Sequence, residues 1–132
     1  MEQNQDGPKQ TKEVQVCRYN DAKILVAKDE VVGMHFWTDR LLFAVSEMPP
    51  GGQSTLDPGH KGADEIAHVI KGKIVIEFPD LQRCERLSAG DSILIPENIP
   101  HIVINPGDEE AVSIWVTAPH LGYDISDLTG KK

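Results

Sequence analysis

Short runs of Ile, Val, Phe and other apolar residues recur along the chain from about residue 14, and turn-forming residues separate them. The apolar runs cover residues 23–27, 40–48, 65–70, 73–78, 92–95, 101–105 and 111–117. Gly- and Pro-containing turns lie between most of them, at residues 49–52, 71–73, 78–80, 88–91 and 105–108. Most of the runs are too short for helices, and their composition is typical of strands. Their spacing of about ten residues predicts an all-β sandwich or barrel.

Alternation within the runs assigns side chains to opposite faces of the predicted strands. It places Glu65 on one face of its strand and His68 on the other. In the later run, His101 shares a face with Val103 and Asn105. We therefore expect Glu65 and His101 to point into the same barrel, and His68 to point away from it.

The 132 residues are enough for one domain with a buried core. Residues 1–12 are polar and lack periodicity, which predicts a flexible N-terminal arm. The predicted barrel spans residues 13–120, and residues 121–132 form a C-terminal tail. There are no internal repeats and no inner linker, so we expect a single β domain.

Charge and composition exclude several partners. The chain has 13 basic and 21 acidic residues, a net charge of −8, and no cluster of Lys or Arg, which disfavours nucleic acid and anionic membranes. No apolar run is as long as a membrane span, and residues 1–13 lack the core of a signal peptide. We expect a cytoplasmic protein in which the isolated Cys17 and Cys84 stay reduced.

Two motifs with matched internal spacing lie between residues 52 and 105. The first has Gly52, five residues, Pro58-Gly59-His60, four residues, Glu65, six residues and Gly72. The second has Gly90, five residues, Pro96-Glu97-Asn98, two residues, His101, three residues and Asn105. In this order and spacing the pair resembles the motifs of the cupin superfamily, small jelly-roll barrels also described as double-stranded β-helices. The departures are Pro58, where that family has its first His, and Asn98, where it has a Gly.

The resemblance implies one divalent metal inside the barrel, bound here by His60, Glu65 and His101. Pro58 offers no donor atom, so two imidazoles and one carboxylate remain. That composition matches the facial triad of non-haem iron oxygenases. Iron is the metal we favour, with manganese, zinc, nickel or cobalt as alternatives, or no metal at all. The structural positions of the motifs are Gly52, Gly72, Gly90, Pro96 and Asn105, and the expected pocket lining is Leu56, Pro58, Ala67, Val69, Ile76 and Val103.

Alternatives to a metal site remain open from the sequence. His60 and His101 can be buried histidines satisfied by hydrogen bonds, and many cupins bind no metal. Glu65 favours a metal, because an inward carboxylate is costly unless it is paired or bound to a cation. Surface or packing roles are favoured for the other histidines and both tryptophans, namely His35, His68, His120, Trp37 and Trp115. Gln53 and Asp57 are minor candidates, since alternation places them opposite His60.

The sequence leaves three alternative functions open. The first is a metal-dependent enzyme acting on a small organic molecule, most plausibly by a dioxygenase-type reaction. The second is a metal-free cupin that binds or senses a small molecule. The third is a metal-independent isomerase or epimerase that uses a His/Glu pair as acid and base. We also expect a homodimer, with residues 13–20 as a candidate for strand addition to a neighbouring sheet.

Overall fold

The structure, a computed structural model, describes residues 13–119, and nine strands account for most of them. The strands are β1 (Lys23–Ala27), β2 (Glu30–Trp37), β3 (Leu42–Met48), β4 (Asp64–Lys71), β5 (Lys73–Phe78), β6 (Arg83–Ser88), β7 (Ser92–Ile95), β8 (Ile102–Ile104) and β9 (Ala111–Ala118). Two short 3₁₀ turns cover Tyr19–Asp21 and Pro79–Leu81.

The strands form two antiparallel sheets. One has six strands in the order β1-β2-β3-β9-β4-β7, and the other has three in the order β6-β5-β8. Strands distant in sequence lie side by side, as β3 does with β9 and β4 with β7. This crossing of connections is typical of a jelly roll. The predicted all-β, jelly-roll fold is confirmed.

Apolar side chains from the strands of both sheets form the main core. Its buried members are Met48, Ala67, Val69, Ile74, Ile76, Phe78, Leu87, Ile95, Val103, Ala111 and Trp115. The alternation predicted for β5 is confirmed, because Ile74, Ile76 and Phe78 are buried while Lys73 and Glu77 are exposed. A smaller cluster of Met34, Leu42 and Ala44 lies under β1 and β2.

Two strands were not predicted. Strand β6 has only one buried residue, Leu87, and lies at the edge of the small sheet, so its sequence is largely polar. Strand β2 contains Gly33 and shifts register between Met34 and Phe36, and this irregularity breaks its alternation. It follows β1 through a tight hairpin in which Lys28 adopts a positive φ of 63°.

The motif residues that the resemblance marks as structural shape the turns. Gly72, at φ 75°, joins β4 to β5, and a Cβ there would lie 2.8 Å from the carbonyl oxygen of Glu110. Asn98 has a φ of 62°, so it replaces a Gly with one of the side chains best able to adopt this conformation. The other motif positions also lie in connections: Gly52 before β4, Gly90 between β6 and β7, Pro96 directly after β7 and Asn105 directly after β8.

The predicted arm, residues 1–12, and the tail, residues 121–132, lie outside the described residues, as does His120. Residues 14–18 form no strand, and Val14 and Val16 are exposed. Strand addition by this segment, and the homodimer, therefore stay predictions. Within residues 13–119, no helix has the length and hydropathy needed to cross a membrane.

Candidate metal centre

Residues 49–57, which connect β3 towards β4, are held along β8 by backbone hydrogen bonds. The N–H of Asn105 donates to the carbonyl oxygen of Gly52, and the N–H of Ser54 donates to the carbonyl oxygen of Val103. At the end of this segment Asp57 and His101 exchange two backbone hydrogen bonds of 2.9 Å. This pairing puts the side chains of Asp57 and His101 side by side.

Asp57 and His60 face the same site, although alternation places them on opposite faces. The reason is a turn instead of a strand at residues 57–60. The N–H of Gly59 donates to Asp57 Oδ1 at 2.8 Å, and Gly59 has a φ of 91°. A Cβ on Gly59 would lie 2.5 Å from the backbone nitrogen of Ile99, so glycine alone fits here. The turn leaves Pro58 exposed and brings the next imidazole back to the site.

Four side chains converge on one point at the end of the barrel. Potential ligand atoms of Asp57, Glu65 and His101 all lie within 4.8 Å of one another. His101 Nε2 is 3.4 Å from Glu65 Oε1 and 3.7 Å from Asp57 Oδ2. His60 Nε2 lies 3.8 Å and 3.6 Å from the same two oxygens. Ligands bound about 2.0–2.2 Å from a metal lie roughly 2.8–3.6 Å apart, so the observed separations need little adjustment.

The imidazole of His101 is fixed in one orientation. Its Nδ1 lies 2.9 Å from the carbonyl oxygen of Ile99, which can only accept, so Nδ1 carries the proton. The ring of Trp115 stacks parallel to it, with centroids 5.9 Å apart. Nε2 is thereby directed at two carboxylates, and its lone pair would be repelled by them. Either a proton or a bound cation at Nε2 removes this repulsion.

Glu65 lacks one of the hydrogen bonds that a buried carboxylate needs. The side chain is 10% exposed, and its Oε2 accepts a hydrogen bond from the Thr117 hydroxyl at 3.3 Å. Its Oε1 is buried and has no hydrogen-bond partner, although His101 Nε2 lies 3.4 Å away. An unpartnered buried carboxylate oxygen is costly, and a metal ion is one of the few partners that offset this cost. The residues present therefore fit a divalent metal.

Mutual attraction shifts the pKa values of Asp57, His60 and His101. Burial alone would raise the pKa of Asp57, but the His60 hydrogen bond and the two imidazoles outweigh it and lower that pKa. Burial alone would lower the pKa of His60 and of His101. The hydrogen bond and charge of Asp57, with the charge of Glu65, raise the pKa of His60 above its usual range. Glu65 and Asp57 raise the pKa of His101 in the same way, aided by the Ile99 carbonyl.

These shifts predict how the stability of the metal-free protein depends on pH. Groups with a raised folded-state pKa stabilise the fold fully below their unfolded pKa, about 6.5 for His, and this stabilisation is lost as pH rises through the folded-state values. We expect the melting temperature in the presence of a chelator to fall by several degrees between pH 6 and pH 8.5. Thermal melts of wild type, His101→Gln and the control His68→Gln test this. A flat or rising wild-type profile would contradict it.

A cavity of about 500 Å³ opens beside the four groups. Asp57, His60, Glu65 and His101 line it, together with Trp115 and Thr117. Of the predicted lining, Leu56, Pro58 and Val103 lie in its wall. Ala67, Val69 and Ile76 do not, because they are 0% exposed and lie inside the main core, away from its cavity side. The rest of the wall comes mainly from the first three strands, through Leu25, Ala27, Glu30, Val32, Met34, Leu42 and Ala44.

The remaining histidines and Gln53 lie away from this cavity as far as the structure describes them. His68 is hydrogen-bonded to the Ser92 hydroxyl, with Nδ1 and Oγ 2.7 Å apart. His35 packs edge-on against Phe43. Gln53 forms a bridge with Ile104. None of the three lines the cavity.

A comparison with protein-family models matches residues 44–117 to the family described as "Cupin domain". The chain belongs to the cupin family. The match includes most of β3, all of β4 to β8, most of β9 and all four converging side chains. A search of curated protein sequences finds no significant match to this cupin.

Solved structures of other cupin-fold proteins superpose on the chain at low sequence identity. They include a predicted oxalate decarboxylase from Thermotoga maritima, 19% identical over 80% of this chain and 99% of its own, with a TM-score of 0.67. The polyketide cyclase RemF from Streptomyces resistomycificus is 18% identical over 86% and 89% of the two chains, with a TM-score of 0.65. A sugar phosphate isomerase from Silicibacter pomeroyi is 16% identical over 79% and 75%, with a TM-score of 0.66. At these identities the likeness shows the fold alone.

Proposed function

We propose that this cupin is a metal-dependent enzyme that acts on a small organic molecule bound in the cavity. The observation that carries the proposal is the buried, unpartnered Oε1 of Glu65, which lies 3.4 Å from His101 Nε2. A carboxylate in this state is explained by a cation that binds both groups. The solved cupins described above are named for decarboxylation, cyclisation and isomerisation, so the fold itself does not favour one reaction.

We infer that Asp57, Glu65 and His101 hold the metal, with His60 beside them. This set differs from the triad of His60, Glu65 and His101 expected from the sequence, because the turn at residues 57–60 brings the Asp57 carboxylate within 4.8 Å of the Glu65 and His101 ligand atoms. Carboxylate and imidazole ligands suit Fe(II), Mn(II) and Zn(II). Bound there, such a metal supplies Lewis-acid polarisation of a substrate oxygen and, if it is redox-active, electrons for dioxygen chemistry.

The protein's own groups supply orientation and proton transfer. The Thr117 hydroxyl orients Glu65 and the Ile99 carbonyl orients His101, so both ligands are preorganised. His60 Nε2 lies between two carboxylate oxygens at 3.6 and 3.8 Å, and its imidazole can hold or move a proton at that atom. The apolar wall of the cavity keeps water away from the reacting atoms. Among metal-dependent reactions, we propose a dioxygenase-type reaction at iron.

The test is reconstitution. Metal-free protein is prepared with a chelator, titrated with Fe(II), Mn(II) and Zn(II), and analysed for bound metal. Oxygen uptake and product formation are then screened with small hydroxylated and carbonyl compounds. We expect about one metal per chain and turnover that depends on it. Binding of none of the three metals would overturn the proposal, and turnover without oxygen uptake would overturn only its dioxygenase form.

A second candidate function rests on the same geometry. His60 and Glu65 face each other at 3.8 Å, which suits an acid/base pair for an isomerase or epimerase without metal. Turnover that survives the chelator would favour this second function. Ligand binding with no turnover under any condition would favour a binding or sensing role.

A further inference from the structure

A third carboxyl group, Glu30, lies in the cavity wall and is not one of the metal-site groups. It is the first residue of β2 and is only 9% exposed. Alternation puts it on the same face as Val32 and Met34, which also line the cavity. An acidic side chain in this otherwise apolar part of the wall is costly and calls for an explanation.

Within residues 13–119, the carboxyl group of Glu30 has one side-chain partner. The Ser46 hydroxyl donates a hydrogen bond to its Oε2 at 2.5 Å. Among residues 13–119, no other side chain is hydrogen-bonded to it, and no Lys, Arg or His lies within ion-pair distance. The carboxyl group therefore keeps an oxygen available to a molecule in the cavity, and its position does not depend on that molecule because Ser46 holds it.

The charges in the wall disfavour anions. In the described part of the chain, the cavity is lined by three carboxyl groups and two imidazoles, with no Lys and no Arg. A divalent metal would be neutralised by Asp57 and Glu65, so it leaves no excess positive charge for an anionic ligand. Proteins that bind organic carboxylates or phosphates usually supply Arg or Lys for them.

We propose that Glu30 determines specificity by binding a hydroxyl or amine donor of the ligand, and that the cavity selects uncharged or cationic molecules with an apolar body over organic anions. This inference rests on the proposed function only in placing the substrate in this cavity. It names the chemical class of that substrate. It also separates this chain from relatives named for oxalate or sugar phosphates, both of which are anions.

The protonation behaviour of Glu30 agrees with this role. Burial raises the pKa of Glu30, the Ser46 hydrogen bond lowers it in part, and the negative charges of Asp57 and Glu65 raise it further. When protonated, the group donates to a hydroxyl oxygen. When ionised, it accepts from an amine. The ionised state repels a carboxylate or phosphate next to it.

Three probes of the same size and ring test the proposal: benzylamine, benzyl alcohol and benzoate. Their Kd values are measured by ligand-observed NMR at neutral pH, with metal-free and with zinc-loaded protein. We expect benzylamine to bind at least about tenfold more tightly than benzoate, with benzyl alcohol between them. Glu30→Gln keeps the size of the side chain and removes its charge, and it is expected to reduce the ratio of the benzoate Kd to the benzylamine Kd by about tenfold. Glu77→Gln, which removes the same charge from the exposed face of β5, is expected to leave that ratio unchanged.

The outcomes separate this inference from the metal centre. Benzoate binding as tightly as benzylamine to the wild type, in both forms, overturns the specificity proposal without any variant. An unchanged ratio in folded Glu30→Gln also overturns it, even if zinc binds normally. If zinc does not bind but the amine preference depends on Glu30, the metal proposal fails and the role of Glu30 stands. If Glu30→Gln does not fold, Ser46→Ala takes its place in the test. This variant removes the hydrogen bond that holds Glu30 Oε2, and it is expected to reduce the ratio of the benzoate Kd to the benzylamine Kd.

Discussion

Asp57→Asn is expected to weaken divalent metal binding by at least about 100-fold, and His101→Ala by at least as much. Loss of a group that only orients a ligand already costs about 10–100-fold in affinity, and these two residues are proposed ligands themselves. Asparagine keeps the side-chain oxygen that accepts from the Gly59 N–H, so the turn survives while the charge at the second oxygen is lost. The Kd for zinc, measured by competition with a chromophoric chelator, gives the result directly.

Two control variants make this prediction specific to Asp57. Asp64→Asn removes a charge from an exposed side chain next to Glu65 in sequence, and it is expected to change the Kd by less than about threefold. Pro58→Ala is expected to change it as little, because Pro58 has no donor atom and is exposed. If Asp57→Asn binds zinc as the wild type does while His60→Ala loses it, the ligands are the sequence-predicted His60, Glu65 and His101 instead.

Strand prediction succeeded where turn residues bound an apolar run and failed where the strand is polar or irregular. Apolar runs gave β1, β5 and β7 with the observed ends, because turn residues flank each of them. Strand β6 was not predicted because it lies at a sheet edge and buries only one side chain. Strand β2 was not predicted because its register shift removes the alternation. Both failures have the same cause, since periodicity reports burial on one face and neither strand presents a regular buried face.

The same distinction separates the site residues that the sequence predicted from those that it missed. Glu65 lies on a regular strand and His101 lies directly before one, and the alternation of side chains along these strands predicted that both are buried. Asp57 depends on a side-chain-to-backbone turn, which reverses the face that strand counting gives. Glu30 lies on a strand that was not predicted, although a two-residue turn after β1 followed by alternating Val32 and Met34 was a usable signal. Which of these side chains meet in one cavity depends on long-range pairing, which one sequence does not reveal.

The start of the segment that carries Asp57 is anchored by a buried side-chain amide, that of Asn105. Its side chain is 0% exposed, and its Nδ2 donates to the carbonyl oxygens of Met48, Pro49 and Glu109 at 2.8–3.1 Å. Its Oδ1 accepts from the Gly107 N–H at 2.9 Å. One side chain thus joins the end of β3, the start of the site segment and the turn before β9.

Asn105→Ala is expected to lower the free energy of unfolding by about 3–4 kcal/mol, because it removes three hydrogen bonds to carbonyl oxygens and the side-chain acceptor of the Gly107 N–H in a buried to part-buried region. Asn105→Asp keeps the acceptor for Gly107 but directs a carboxylate at three carbonyl oxygens, so we expect a loss at least as large. Urea unfolding followed by the fluorescence of buried Trp115 measures both. Asn20→Ala, at an exposed position, is the matched control and is expected to stay within about 0.5 kcal/mol of wild type.

The two variants also test whether this amide supports the metal site. Asn105 lies outside the cavity wall, so it acts on a metal only through the segment that it holds. Because Asp57 is paired to β8 at the far end of that segment, loosening the near end is expected to weaken zinc binding by about tenfold in protein that is still folded. Variants within 1 kcal/mol of wild type would show that the network is dispensable. A large loss of stability with unchanged zinc affinity in the folded fraction would show that the pairing of Asp57 with His101 holds the site alone.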